Sequence, residues 1–292
     1  MRLPDPLRRA GQLLVRNRRR TLARFRHIAP ATIPGLYLRA LRLGLRDPMP
    51  HDPPDRPERL VVTLSSIPSR LGHLRGVLNS LIDQSVPADR IMLALPAYSR
   101  REQRAYPAAA DLRLPRGIEV VPCEDFGPVT KLLPALAAEP RAYLVVVDDD
   151  AVYPRDFLGT LLDAARRHPG CALGYRGVRL APPRRLVDLE HVFATSIAEP
   201  VGVDILFGTW GYLLPPGTVD GAAHPRTGEA FRWTDDVWVS GQLARARVPR
   251  LVVPAVAMPV ETGNSMRRSL AGGPNRSGHN DEIAIAAFAA DW

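Results

Sequence analysis

The chain has 292 residues, 46% of them apolar, and a formal net charge of +9. That suits one large domain with additions or two small ones, and the apolar share is ordinary for a packed core. Two cysteines exclude a disulfide framework, no apolar run reaches the roughly 20 residues that span a bilayer, and the start lacks the apolar stretch of a secretory signal.

The charge is unevenly placed. Residues 1–59 hold 14 arginines against five acidic side chains, whereas residues 60–292 hold 25 basic and 25 acidic ones. Within residues 1–46, Leu7, Ala10, Leu14, Leu22, Phe25 and Ile28 recur at rough helical spacing among arginines, and Leu36 to Leu45 alternates leucines with Arg39 and Arg42. A basic amphipathic arm of this kind suits an anionic membrane surface. A solvated arm or an organellar transit peptide has the same composition. Nucleic acid is a poor partner, because the arm lacks interleaved aromatics and the body is neutral. Cysteine usage and the arm together predict a cytoplasmic protein, peripheral on the inner membrane face. Residues 47–59 hold five prolines in thirteen and read as a linker, with folding restarting at Leu60.

From Leu60 the pattern alternates. Strands are expected at 60–64, 90–95, 118–121 and 143–147, and helices at 71–84, 129–138 and 156–167. Such alternation predicts an α/β fold, a mainly parallel Rossmann-like sheet flanked by helices, with ligands at the carboxyl ends of its strands. Beyond residue 171 the pattern is less regular. An apolar run at 203–209 leads to Trp210-Gly211-Tyr212, a helix is expected from Asp235 to about Ala246, and a short strand at 250–253. Residues 262–280 are polar and Gly-rich, a loop, and 281–290 read as a terminal helix.

Three consecutive aspartates, Asp148, Asp149 and Asp150, end the apolar run at 143–147. A buried strand holds adjacent carboxylates only at its exit, in water or on a cation. In extended backbone Asp148 and Asp150 point to the same side, and two converging carboxylates suit Mg²⁺ or Mn²⁺, completed by water and phosphate oxygens. An acidic strand-to-helix loop with one aspartate as N-cap is the plainer alternative. Lys131 is the only lysine among 39 basic residues. Where arginine serves everywhere else, a retained lysine points to a need for a compact ammonium.

Four features stand in one order. They are Thr63-Leu64-Ser65-Ser66-Ile67-Pro68-Ser69-Arg70 after the first strand, Asp125-Phe126-Gly127-Pro128-Val129-Thr130-Lys131, the strand ending in the three aspartates, and the pair Asp235-Asp236. Together they resemble the GT-A glycosyltransferases, near the family 2-like bacterial enzymes, over roughly residues 60–282. The resemblance implies a GT-A fold with a nucleotide-binding half at 60–170 and an acceptor half at 171–292. It also implies a nucleotide-sugar donor, a UDP-sugar favoured, and a divalent cation, Mn²⁺ or Mg²⁺. On that pattern Thr63, Ser65 and Arg70 border the nucleoside, Asp125 lies near the base, and Asp148 and Asp149 face the donor. Asp150 and Asp148 hold the metal against the diphosphate, with His279 as a third ligand, although a lone loop histidine is commonly just solvent-exposed. Lys131 reaches the diphosphate as a point charge, or is an ordinary surface lysine. Asp236 is the base for the acceptor hydroxyl in an inverting transfer, with Asp235 orienting it; the same pair also suits a helix N-terminus. Trp210, Gly211 and Tyr212 form a platform for the acceptor sugar or pack in the core, and Trp233 lines the acceptor site.

Two departures refine the expectation. Asp235 stands where glutamate is usual, and the Gln-x-x-Arg-Trp feature of processive members is absent after Asp236. A single transfer to a surface glycan or lipid-linked intermediate therefore fits better than polymer synthesis. A nucleotidyltransferase of related fold is the nearest rival, but it needs a Gly-rich basic loop after the first strand, which Leu64–Leu71 is not. A non-catalytic glycan-binding module would be favoured by loss of the metal or base carboxylates, and both sets are present.

Overall fold

The computed structural model describes residues 32–183, 185–225, 229–262 and 278–292. Residues 1–31 of the basic arm and most of the 262–280 stretch lie outside them. Helix α1 (Thr32–Leu45) is followed by β1 (Leu60–Ser65), α2 (Arg75–Ile82), β2 (Arg90–Pro96), β3 (Tyr98–Ser99), β4 (Arg104–Ala105), β5 (Ile118–Cys123), α3 (Leu133–Ala138), β6 (Tyr143–Val146), β7 (Ala151–Val152) and α4 (Phe157–Arg167). The second half adds β8 (Ala172–Gly174), β9 (Arg176–Val178), β10 (His191–Phe193), β11 (Val201–Gly202), β12 (Ile205–Leu206), β13 (Tyr212–Leu214), α5 (Glu229–Trp233), α6 (Asp235–Arg245), β14 (Arg250–Val252), β15 (Val260–Glu261) and α7 (His279–Ala286).

Eight strands form the central sheet in the order β11-β14-β8-β13-β6-β1-β2-β5. The half built from β5, β2, β1 and β6 is parallel. Strand β13 runs antiparallel to both β6 and β8. Strands β1 and β6 are buried on both faces, which is why both read as unbroken apolar runs rather than as alternation. Helix α2 packs on the sheet through Val77, Leu78, Leu81 and Ile82. Helix α4 does so through Phe157, Leu158, Leu161 and Leu162.

The strand order fixes where a ligand can go. From β1 the chain moves outward through β2 to β5, then returns to lay β6 on the other side of β1. Connections therefore leave β1 and β6 in opposite directions, and a crevice opens between their carboxyl ends.

Two expected helices are broken where the site needs a turn. The 71–84 stretch begins with a 3₁₀ turn at Leu71–His73 before α2 starts at Arg75. Val129–Ala138 divides into a 3₁₀ segment, Gly127–Lys131, and α3. Pro134 sits in the first turn of α3, where its missing N–H costs nothing, and the break turns Lys131 into the protein.

Helix α1 and the proline-rich segment are fastened to this body. Leu43 is buried against Val152 and Val260. The Arg39 guanidinium donates to the Asp83 carboxylate at 2.9 Å and to the Tyr153 carbonyl at 2.6 Å. Asn79 donates to the Leu43 carbonyl at 2.7 Å. Asp47 pairs with Arg75, Arg56 with Asp89, and Glu58 with Arg166.

Candidate active site at the ends of β1 and β6

The three aspartates leave β6 in the turn that leads to β7. They are divided between two cations. Asp149 is nearly covered and is held by the Arg70 guanidinium at 2.7 Å and by the Ser66 hydroxyl. Asp150 takes a second contact from the same Arg70 nitrogen at 3.2 Å. Arg70 itself is 7% exposed, so its guanidinium meets this turn largely out of water. Asp148 instead accepts from the Lys131 ammonium at 2.7 Å, and its own backbone N–H donates to the Tyr153 hydroxyl at 2.9 Å.

Lys131 joins the two halves of the chain. Its ammonium lies 2.7 Å from Asp148 and 2.9 Å from Asp235, at the start of α6. Burial opposes its charge, but Asp148, Asp235 and Asp236 together hold the ammonium well above its ordinary pKa. The backbone N–H of Gly208 donates to the Asp236 carboxylate at 2.9 Å. A Cβ built on Gly208 would sit 2.8 Å from the Lys131 nitrogen, 3.2 Å from the Asp236 carboxylate and 3.5 Å from that of Asp148. The chain comes this close because β13 pairs antiparallel with β6, so that Tyr212 faces Val146 and the turn before β13 falls beside the aspartates. Gly208→Ala is expected to displace the pinned ammonium, with a loss of about 1–3 kcal/mol of stability, read from denaturant unfolding.

Among the described residues, acid exceeds base around the three aspartates and Asp235-Asp236. Burial, then Asp148 and Asp149, push the Asp150 carboxyl up to about 7 even against Arg70, with Glu261 adding to the rise. Burial, then Asp235, raise the Asp236 carboxyl well above the usual carboxylate range, against the pull of Lys131. Among the described residues no group of three or more His, Cys, Asp or Glu side chains is arranged to hold a metal ion. The oxygen-only set and the crowding that raises Asp150 nevertheless fit a hard divalent cation that takes further ligands from a phosphate and water.

No protein-family profile matches the sequence, and none of the curated proteins matches it. Among solved structures it is similar to the mannosyltransferase PcManGT from Pyrobaculum calidifontis, in complex with GDP-Man and Mn²⁺. The match has a TM-score of 0.53 at 17% identity and covers 93% of this chain and 74% of that one. The likeness is one of fold: an α/β core, with a central sheet flanked by helices, shared with that protein.

The expected site residues are placed as follows. Thr63, expected to border the nucleoside, is fully buried, and its hydroxyl donates to the Lys131 carbonyl. Ser65 ends β1, yet the hydroxyl that meets the aspartates is that of Ser66. Lys131 does not stand free for a phosphate, because two carboxylates hold it. Both Asp125 oxygens are occupied by backbone N–H groups, of Arg100 at 2.6 Å and Gly127 at 2.8 Å, which shape the loop after β5. Trp210 and Tyr212 are each 1% exposed. Trp210 packs against Phe193 with ring centroids 5.1 Å apart, and neither ring offers a face to a sugar. Gly211 has φ +81°, and a Cβ there would lie 2.6 Å from the Phe157 ring. Trp233 is half-buried beneath the Arg232 guanidinium. The His279 side chain is exposed at the start of α7, and it is not gathered with Asp148 and Asp150 into a cluster.

Sequence reasoning missed Gly208 and Tyr153. A glycine inside an apolar run signals close backbone approach, and that signal was available in Leu206-Phe207-Gly208. Nothing local marks Tyr153, which acts through a hydroxyl buried beneath Asp148.

Proposed function

We propose that this chain is a metal-dependent, inverting, non-processive glycosyltransferase. It moves one sugar from a nucleotide-sugar donor to a hydroxyl of a surface glycan or lipid-linked intermediate. The observation that carries this reading is the Lys131 bridge, which ties Asp148 at the end of β6 to Asp235 beside Asp236. The donor-side and acceptor-side carboxylates thereby meet at one ammonium, on a fold also found in a mannosyltransferase in complex with GDP-Man and Mn²⁺.

Asp150 and Asp148 are the residues that would hold the cation, which when bound neutralises charge on the departing nucleoside diphosphate. Arg70 fixes the turn that carries Asp149 and Asp150. Asp236 takes the proton of the acceptor hydroxyl as that oxygen bonds to the anomeric carbon and the bond from that carbon to the diphosphate breaks. Its raised pKa strengthens it as a base. Asp235, pinned by Lys131, positions Asp236 instead of reacting.

The test is a panel of UDP-, GDP-, CDP- and ADP-sugars with Mn²⁺, scored by release of the nucleoside diphosphate and by the anomeric configuration of the product. An α-linked donor is expected to give a β-linked product. Retention of configuration would remove Asp236 as the acceptor base, and no turnover of any donor would favour the binding-module reading.

A further inference from the structure

A surface helix ordinarily buries one apolar stripe and shows water a polar face. Helix α1 does not. Its inner stripe, Ile33, Leu36, Ala40 and Leu43, packs on the body. Its outer side carries a second apolar stripe. Tyr37 is 52% exposed, Leu38 66%, Leu41 63% and Leu45 73%, and Met49 follows at 70%. Leu38, Leu41 and Leu45 are spaced to lie along one face.

The same helix borders a cleft of about 490 Å³ lined by Leu38, Arg39, Arg42, Asp83 and Arg155. Arg39 is committed to Asp83. Arg42 and Arg155 are exposed and line the cleft together with Arg39 and Asp83. The 31 residues that lead into α1 carry nine further arginines and one aspartate. Leucines beside an arginine-lined cleft, preceded in sequence by a strongly basic segment, complement one surface: acyl chains under anionic headgroups.

We infer that the outer face of α1 docks on an anionic lipid bilayer, with Leu38, Leu41 and Leu45 entering the acyl boundary and the Arg39–Arg42–Arg155 cleft taking a lipid phosphate. No helix among the described residues is long and apolar enough to cross a membrane, so the attachment is peripheral. The docked helix also reaches the candidate active site. Leu43, on its inner face, touches Val152 and Val260. Val152 lies two residues past Asp150 on β7, and β7 pairs with β15. The helix that would dock thus packs, through its inner face, on the strand that follows the three aspartates.

The experiment is co-sedimentation of the full chain, without nucleotide or metal, with vesicles of phosphatidylcholine alone or with 30% phosphatidylglycerol. Reading it without donor keeps its outcome independent of the glycosyltransferase proposal. Binding to the anionic vesicles is expected, at least about tenfold tighter than to neutral ones and weakened by salt. Leu38→Glu with Leu41→Glu should reduce it about tenfold or more, with an unchanged melting temperature because Leu43 is kept. Arg42→Glu with Arg155→Glu should bring anionic binding close to the neutral level. Wild-type binding by the leucine variant would assign attachment to residues 1–31 alone and overturn the proposal. So would equal binding to neutral vesicles. A dimer that the leucine variant dissolves, with no vesicle binding, would make the face a contact between copies and overturn it as well.

Discussion

Lys131→Met is expected to lose about 3–5 kcal/mol of folding stability, the range for removing one partner of a buried ion pair. The ammonium is the shared partner of Asp148 and Asp235 and lies in the field of Asp236. Its loss leaves these carboxylates around Gly208 without the cation that pairs them among the described residues. Lys131→Arg is expected to fail too. The ammonium sits where even a methyl group on Gly208 would come within 2.8 Å of it, and a planar fork is larger than a point charge. The double variant Lys131→Met with Asp235→Asn should recover part of the loss, which a double-mutant cycle in denaturant measures. A loss below about 1 kcal/mol, the level of an exposed pair, would mean the bridge is not part of what holds the two halves together.

Asp236→Asn is expected to lower kcat by about 10²–10⁴-fold, the usual contribution of a general base, while leaving the fold intact. Asparagine keeps an oxygen for the Gly208 N–H and removes a carboxyl whose ionisation is disfavoured by burial and by Asp235. The melting temperature should therefore hold or rise. The wild-type pH profile carries the same signature. A base works deprotonated, so activity should rise with pH, and the raised pKa of Asp236 puts that rise above the ordinary carboxylate range. A profile already flat from pH 5 upward, or an Asp236→Asn enzyme with near-normal kcat, would assign the proton to another group.

Much of the first half of the fold was legible because each of its elements announces itself locally. Strands β1, β2 and β6 are apolar runs, and α4 carries an amphipathic stripe. The second half resists such reading. Its strands are two or three residues long, too short for a period to develop, and their partners are distant in sequence. The acidic motifs were visible, and the pairing that unites them was not. A lone lysine hints at a special role, but nothing in Pro128-Val129-Thr130-Lys131 says that it points inward. Only the break between the 3₁₀ turn and α3 does that. Trp210-Gly211-Tyr212 suited a platform and a core equally in sequence. Burial against Phe193 and Phe157 decides for the core. The basic arm looked separable because its composition changes sharply at Leu60, but its second part folds as α1 and packs on α2 and β7.

The most direct test of the whole account is calorimetric titration of UDP, GDP, CDP and ADP into the protein, with and without Mn²⁺, beside Asp150→Ala. One nucleotide is expected to bind tightly only with Mn²⁺, and Asp150→Ala to abolish this while the protein stays folded. Binding that is equally tight without the cation, or unchanged in Asp150→Ala, would contradict a metal-held diphosphate at the end of β6. Failure of all four nucleotides to bind a folded protein would contradict the donor site itself.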